Sequence, residues 1–121
     1  MTARRDPSEL LPLTPAMFHI LLALAEDERH GYAIIKDVES RTDGDVRLSA
    51  GTLYGLVKRL LADGLIEESS RRPPAGEDDE RRRYYRLAAF GRKVLAAEVE
   101  RLERAVEMAR ATKILRKTQL A

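Results

Sequence analysis

The sequence predicts a mainly α-helical chain with three short helices, a two-stranded hairpin and one long C-terminal helix. Three observations support this fold class. Apolar residues recur at helical spacing in four stretches, and two alternating stretches flank a loop with consecutive prolines. Aromatic residues make up only 5% of the 121 residues, so the core must consist mostly of Leu, Val, Ile and Ala. Such a core favours helices over a β-sandwich.

The first helix follows from its start signal. Residues 1–12 mix charges with two prolines and are expected to form a flexible N-terminal arm. Thr14 then provides an N-cap, and Pro15 occupies the first helical position, where the missing N–H costs no hydrogen bond. The helix should end in the acidic patch 26–28. Its buried stripe is predicted to consist of Met17, Ile20, Leu21 and Leu24.

The second helix is expected to open at Tyr32, after a turn at His30 and Gly31, and to close in the loop 42–45. A helix-end or packing role for His30 is favoured over a metal-binding or catalytic one. His19 lies within the first helix and is expected to pack or to face solvent.

The third helix, residues 49–63, has two distinct faces. Ser49 is its predicted N-cap, and Gly64 is its predicted left-handed C-terminal cap. The large apolar residues fall on one side at 100° per residue: Leu53, Leu56, Val57, Leu60 and Leu61. The opposite side presents Gly51, Gly55, Lys58, Arg59 and Ala62, with Thr52 and Tyr54 at its flanks. Two interpretations explain the two glycines on this face equally well. They are either tolerated surface residues, or they allow the helix backbone to come close to another surface.

A hairpin, here called the wing, is predicted over residues 65–87, with its strands at 65–69 and 83–87. A helix over residues 88–112 and a basic tail over 113–121 follow. This helix carries a narrow apolar stripe, typical of a helix that packs along another helix: Leu95, Val99, Leu102, Val106 and Ala109. The stripe therefore predicts a dimerisation helix, with the core of an isolated four-helix domain as the alternative.

Three helices followed by a hairpin are the elements of a winged helix-turn-helix domain, here predicted over residues 13–87. In that architecture one helix enters the major groove of DNA while the wing lies along the flanking backbone. The charge distribution is compatible with such a partner. Residues 1–45 carry 5 Lys or Arg against 9 Asp or Glu, whereas residues 46–121 carry 17 against 11.

Five fragments also occur in the order found in PadR-like transcriptional regulators. They are Leu13-Thr14-Pro15, His30-Gly31-Tyr32, Gly51-Thr52-Leu53-Tyr54-Gly55-Leu56, Gly64-Leu65-Ile66 and Arg83-Tyr84-Tyr85-Arg86-Leu87. The chain resembles this family over about residues 13–110. The resemblance implies a homodimeric repressor that binds double-stranded DNA and releases it when an effector acts. One departure is Ala88, where such proteins usually place a Thr to cap the last helix.

The expected functional residues follow from this resemblance and from the outward face of the third helix. The resemblance implies a phosphate contact for Tyr32 and dimer contacts for the last helix. The predicted DNA-contacting residues are Tyr32, Ser49, Thr52, Tyr54, Lys58, Arg59, Arg72, Arg81, Arg82 and Arg83. Packed tyrosines, and wing arginines neutralised by the acidic run 77–80, are the alternative interpretations. A sequence-specific regulator of a pseudo-palindromic operator is the resulting prediction.

Other classes of function receive less support. The chain has no cysteine, which excludes disulfides, zinc ribbons and thiol catalysis, and we expect no metal, cofactor or catalytic site. No apolar run is long enough to cross a membrane, so we expect a cytoplasmic protein. A winged-helix module that binds proteins and not DNA is the main alternative. A small-molecule effector is left open, with an apolar space among Met17, Phe18, Phe90 and Met108 as one candidate site.

Overall fold

The computed structural model describes residues 5–70 and 83–114. Their elements are a 3₁₀ turn Pro7–Leu10, α1 Pro15–Glu26, β1 Arg29–His30, α2 Gly31–Arg41, α3 Ala50–Ala62, β2 Ile66–Glu68, β3 Tyr84–Leu87 and α4 Ala89–Ala111. The strands form one antiparallel sheet in the order β1-β3-β2. The predicted mainly helical class is confirmed. Within the described ranges, no helix has the length and apolarity to span a membrane.

The core lies where the three short helices meet the sheet and the first turns of α4. Ile20 and Leu21 of α1, Ile34 of α2, and Leu53 and Leu60 of α3 are fully buried. Burying a side chain of this size stabilises a fold by roughly 1.5–3 kcal/mol. Branched aliphatic side chains therefore carry most of the stability, as the composition predicts.

The predicted starts of α1 and α3 are confirmed by their hydrogen bonds. The Thr14 hydroxyl accepts the backbone N–H of Met17 at 3.2 Å, and the Ser49 hydroxyl accepts that of Thr52 at 3.1 Å. Ala88 precedes α4 and provides no side-chain cap, as the departure noted in the sequence implies. The first turn of α4 is therefore held by packing, without a capping hydroxyl.

The end of α3 and the start of α4 come together at Leu65. Gly64 has a φ of +76°, which confirms the predicted left-handed cap of α3. The Leu65 carbonyl accepts the N–H of Ala88 at 3.0 Å. A Cβ atom at Gly91 would lie 1.9 Å from that same carbonyl oxygen, so α4 can approach β2 this closely only with glycine at the position.

One strand is missing from the sequence prediction. β1 pairs with β3, with His30 opposite Tyr84. His30 also caps α2, because its Nδ1 atom accepts the N–H of Ala33 at 3.2 Å. The predicted turn at His30 and Gly31 is therefore wrong, since the chain passes from the strand directly into the helix. The helix-end role that the sequence favoured for His30 is confirmed.

The N-terminal segment is packed in its described part, unlike the flexible arm predicted over residues 1–12. Its 3₁₀ turn lies against α4. The Arg5 guanidinium lies 4.3 Å from the ring centroid of Phe90 and donates a hydrogen bond to the carbonyl of Asp63. Residues 5–12 therefore link the end of α3 to the beginning of α4.

Glu98 of α4 is only 2% exposed and joins α4 to the start of α1. One carboxylate oxygen accepts the backbone N–H of Leu13 at 2.8 Å, and the other accepts a hydrogen bond from Arg101. The Arg101 hydrogen bond lowers the pKa of Glu98; burial opposes this effect, and the Leu13 N–H adds to it. The carboxylate therefore stays charged while satisfying a buried backbone donor.

We predict that Glu98→Ala lowers the free energy of unfolding by about 1–3 kcal/mol at neutral pH, because it leaves the buried Leu13 N–H without its acceptor. Since the pKa of Glu98 is lowered in the folded chain, its charged form stabilises the fold above the ordinary value of about 4.5. That stabilisation disappears as the pH falls through the folded pKa. Urea unfolding at pH 7 and pH 3.5 measures the change. The difference in free energy of unfolding between the wild-type chain and Glu98→Ala should be smaller at pH 3.5.

The control for this measurement is Glu100→Ala, which removes an exposed carboxylate two residues further along α4. It should change the free energy of unfolding by less than about 0.5 kcal/mol. Equal effects of the two substitutions at pH 7 would contradict the role given to Glu98.

Candidate nucleic-acid interface

The outward face of α3 is open to solvent. A Cβ atom at Gly51 or Gly55 would meet no heavy atom within 4 Å. Lys58, Arg59 and Ala62 on the same side are exposed. Because no side chain covers the two glycines, the helix backbone can come close to another surface here, next to two cationic side chains.

The inward face of α3 is narrower than the sequence predicts. Leu53, Val57 and Leu60 are buried in the core, but Leu56 is only half-buried and Leu61 is 37% exposed. The five large apolar residues predicted to share one side of α3 are therefore not buried to the same extent. Leu61 lies about 100° around the helix from the fully buried Leu60, at the margin of the apolar side.

Two hydroxyl groups lie at the start of α3. The Ser49 hydroxyl caps the helix and also donates to the Thr52 hydroxyl at 3.0 Å. Both residues are exposed. With the Ser49 proton used in this way, the Thr52 proton is available to an external acceptor such as a phosphate oxygen.

Tyr54 fixes the position of α3 against α2. A Cβ atom at Gly31 would lie 2.4 Å from the Tyr54 hydroxyl oxygen and 2.8 Å from the adjacent ring carbon. Gly31 is the first residue of α2, so only a residue without a side chain lets the ring pack at this point. The half-buried Tyr54 thus has a packing role, and its DNA contact remains a prediction.

Tyr32 directly follows this contact and is 61% exposed. The Lys36 ammonium, one turn further along α2, lies 5.5 Å from the centroid of the Tyr32 ring. Tyr32 was predicted as a candidate contact from the sequence, whereas Lys36 was not. The spacing of four residues was the available signal, because residues four apart are neighbours on a helix surface.

The described part of the wing carries paired charges. Nη1 of Arg83 lies 3.0 Å and 3.3 Å from the two carboxylate oxygens of Glu68. Nε of Arg86 lies 2.8 Å from a carboxylate oxygen of Glu67 on the facing strand. Arg83, predicted as a DNA contact, therefore has a carboxylate partner within the protein. The other predicted wing contacts lie outside the described residues: Arg72, Arg81 and Arg82.

The predicted stripe of α4 divides between the core and the surface. Leu95 is only 7% exposed and belongs to the core of the chain itself, so its assignment to a dimer seam needs correction. Further along α4, Val99, Leu102 and Val106 are 37–43% exposed, and Ala109 is half-buried. Phe18 of α1, which the sequence analysis did not connect with this stripe, lines an open groove of about 390 Å³ together with Val99, Leu102, Glu103, Val106, Glu107 and Arg110.

The candidate effector space does not form. Phe18 lines the α4 groove, whereas Met17 lines a separate cavity of about 140 Å³ beneath the N-terminal segment. Phe90 lies under Arg5, and Met108 is 65% exposed. These four side chains therefore do not enclose one apolar site.

Acidic residues of the first third are used within the fold. Arg29 lies 3.6 Å from Glu26 and 3.5 Å from Asp37, and Arg41 lies 2.6 Å and 3.1 Å from the same two carboxylates. Hydrogen bonds to Glu26 and Asp37 raise the pKa of Arg41. This network joins the end of α1 to α2, so Glu26 and Asp37 are paired within the fold.

Three helices, the antiparallel strands of the wing and a long C-terminal helix define a winged helix-turn-helix protein. The model of the "Transcriptional regulator PadR-like family" matches residues 20–97, and the chain belongs to that family. The chain is thus a transcription regulator, and the resemblance inferred from the five sequence fragments is confirmed. Enzymatic activity is not a general property of the family.

Solved structures agree with this assignment. A transcriptional regulator from Clostridium thermocellum is 27% identical, with a TM-score of 0.65, and the match covers 84% of this chain and 90% of that one. RosR from H. salinarum is 28% identical with a TM-score of 0.60, covering 82% and 79%. A PadR family regulator from Clostridium difficile, 22% identical, shares the fold with a TM-score of 0.67, covering 82% and 98%. No curated protein matches significantly.

Proposed function

We propose that this chain is a homodimeric repressor that binds a pseudo-palindromic operator in double-stranded DNA. In this proposal α3 enters the major groove, the wing follows the flanking backbone, and α4 joins the two protomers. The protein would act in the cytoplasm, and an effector that alters the dimer would release the DNA. The observation that carries the proposal is the bare outward face of α3.

The two glycines of that face support the proposal on energetic grounds. Glycine in a helix costs roughly 1 kcal/mol relative to alanine. Nothing within the described residues approaches Gly51 or Gly55, so packing of the chain itself does not require them. Close approach to the floor of a DNA groove does, because a methyl group there would hold the backbone away from the base edges.

The surrounding side chains suit the two parts of such an interface. Lys58 and Arg59 can donate to base acceptors or to phosphates, and the Thr52 hydroxyl has a proton to donate. Tyr32 follows Gly31, which lies against Tyr54 of α3, and would contact a phosphate, with Lys36 beside it. Base contacts from α3 would then give specificity, while contacts from α2 and the wing would fix the position of the protein on the duplex.

Dimerisation is supported by the groove beside α4. Val99, Leu102 and Val106 expose apolar surface in one line, and Phe18 extends it onto α1. A second copy of the chain would cover this surface by two-fold symmetry. Two α3 helices related in this way would contact half-sites about one helical turn, roughly 34 Å, apart.

We predict that Gly55→Ala has opposite effects on folding and on DNA binding. The free energy of unfolding should rise by about 0.5–1 kcal/mol, because alanine favours the helix. Affinity for the operator should fall by about tenfold, since the new methyl group prevents close approach. Thermal unfolding and fluorescence anisotropy of a labelled duplex measure the two quantities, and higher stability without loss of affinity would contradict the role of this face.

We also predict that Val106→Glu converts the dimer into a monomer, because removing a carboxylate from water among Val99, Leu102 and Phe18 is costly. Sedimentation velocity measures the change. The matched control is Ala111→Glu, which introduces the same side chain at an exposed position outside the groove and should leave the dimer intact. If Val106→Glu stays dimeric, or if the wild-type chain is monomeric, the proposed seam is wrong.

A further inference from the structure

The wing holds two arginine–carboxylate pairs whose function the proposed DNA contact does not explain. Glu67 lies directly opposite Arg86 in the strand register, and their side chains are 2.8 Å apart. Arg83, the residue before β3, reaches both carboxylate oxygens of Glu68 at the end of β2. The four side chains are 33–52% exposed.

Folding alone gives little reason for these pairs. Ion pairs between exposed side chains contribute little to stability, because water screens them and holding two long side chains costs entropy. A wing that only needed to attract DNA would also do so more strongly without acidic residues beside its arginines. Glu67 and Glu68 therefore weaken the attraction that the proposed function requires of this surface.

A paired arginine acts differently at long and at short range. At a distance the two charges cancel, so the pair adds almost nothing to the positive field that draws in DNA. At contact range the guanidinium has five N–H donors, of which a carboxylate occupies one or two. The remaining donors of Arg83 and Arg86 can still bind a phosphate oxygen that comes close enough.

We propose that Glu68 and Glu67 are specificity-determining residues that suppress binding of the wing to random DNA while leaving Arg83 and Arg86 able to contact phosphates of the operator. This inference rests on the proposed function. Binding to random sequence depends mainly on counterions released by free cations. In the operator complex, base contacts of α3 hold the wing against the DNA backbone. At that distance the remaining N–H donors of Arg83 and Arg86 can donate hydrogen bonds to phosphate oxygens.

The surroundings of Arg86 agree with this inference. The hydrogen bond to Glu67 is the main reason that the pKa of Arg86 is raised, and the carboxylate of Glu28 adds to the effect. Glu28 in turn accepts a hydrogen bond from the Ser69 hydroxyl at 2.6 Å. The carboxylates of Glu67 and Glu28 therefore both act on Arg86 and offset its positive charge.

The test compares Glu68→Gln with Glu100→Gln, an exposed carboxylate of α4 that changes the net charge equally. Anisotropy titrations use a labelled fragment of the DNA upstream of the chain's own coding sequence and a scrambled duplex of the same length. Both are measured at 50 and 200 mM salt. Glu68→Gln should bind the scrambled duplex more tightly than Glu100→Gln does and lower the ratio of specific to non-specific affinity. Each freed cation makes the fall of log affinity with log salt steeper by about 0.9. The affinity advantage of Glu68→Gln for the scrambled duplex should therefore be about threefold larger at 50 mM than at 200 mM salt.

A double-mutant cycle distinguishes a freed arginine from a general change of charge. In an Arg83→Gln background, the advantage of Glu68→Gln should shrink, because the Arg83 cation is no longer there to be released. An advantage of undiminished size there, or one equal to that of Glu100→Gln, would overturn the inference. Glu67→Gln tests the same effect at the second pair, because Glu67 is the partner of Arg86. Circular dichroism confirms that each variant is folded. If the wild-type chain binds neither duplex at 50 mM salt, the proposed function itself fails and the inference falls with it.

Discussion

The contact between the Tyr54 ring and the backbone at Gly31 is the constraint on which the geometry of the proposed interface depends. A Cβ atom at residue 31 would overlap the Tyr54 hydroxyl, so glycine lets the ring lie directly against the first residue of α2. Tyr32 follows immediately and is 61% exposed, while the neighbouring glycine face of α3 stays bare. One aromatic ring thus positions both helices of the helix-turn-helix unit.

The helix α4 has a buried part and an exposed part, and the change between them occurs within one turn. Leu95 lies in the core and Glu98 is buried with its carboxylate paired, but Val99 is already 38% exposed. Glu98 therefore marks the point where the winged domain ends. Beyond it, the helix has no other part of the described chain to cover its apolar side except Phe18, which is why a second protomer is the proposed occupant.

Helix caps were predictable from the sequence, whereas contacts between residues far apart in the chain were not. The caps at Thr14 and Ser49 follow from residues within four positions of each other, and the structure has both. β1 was missed because a strand of two residues has no alternation to detect. The burial of Leu95 and the pairing of Glu68 with Arg83 depend on which elements meet in three dimensions. The sequence therefore predicted the outward face of α3 but not that Glu67 and Glu68 pair with the wing arginines.

The most direct test of the central claim is affinity cleavage from α3, because the chain has no cysteine of its own. Ala62→Cys, on the same side as Gly55 and Lys58, would carry an iron chelate, with the exposed Ala111→Cys on α4 as the control. Bound to the DNA upstream of its own coding sequence, the Ala62→Cys protein should cut at two clusters about one helical turn apart, and the control should not. Equal cleavage by both proteins, or none from Ala62→Cys in a formed complex, would contradict the placement of α3 in the groove.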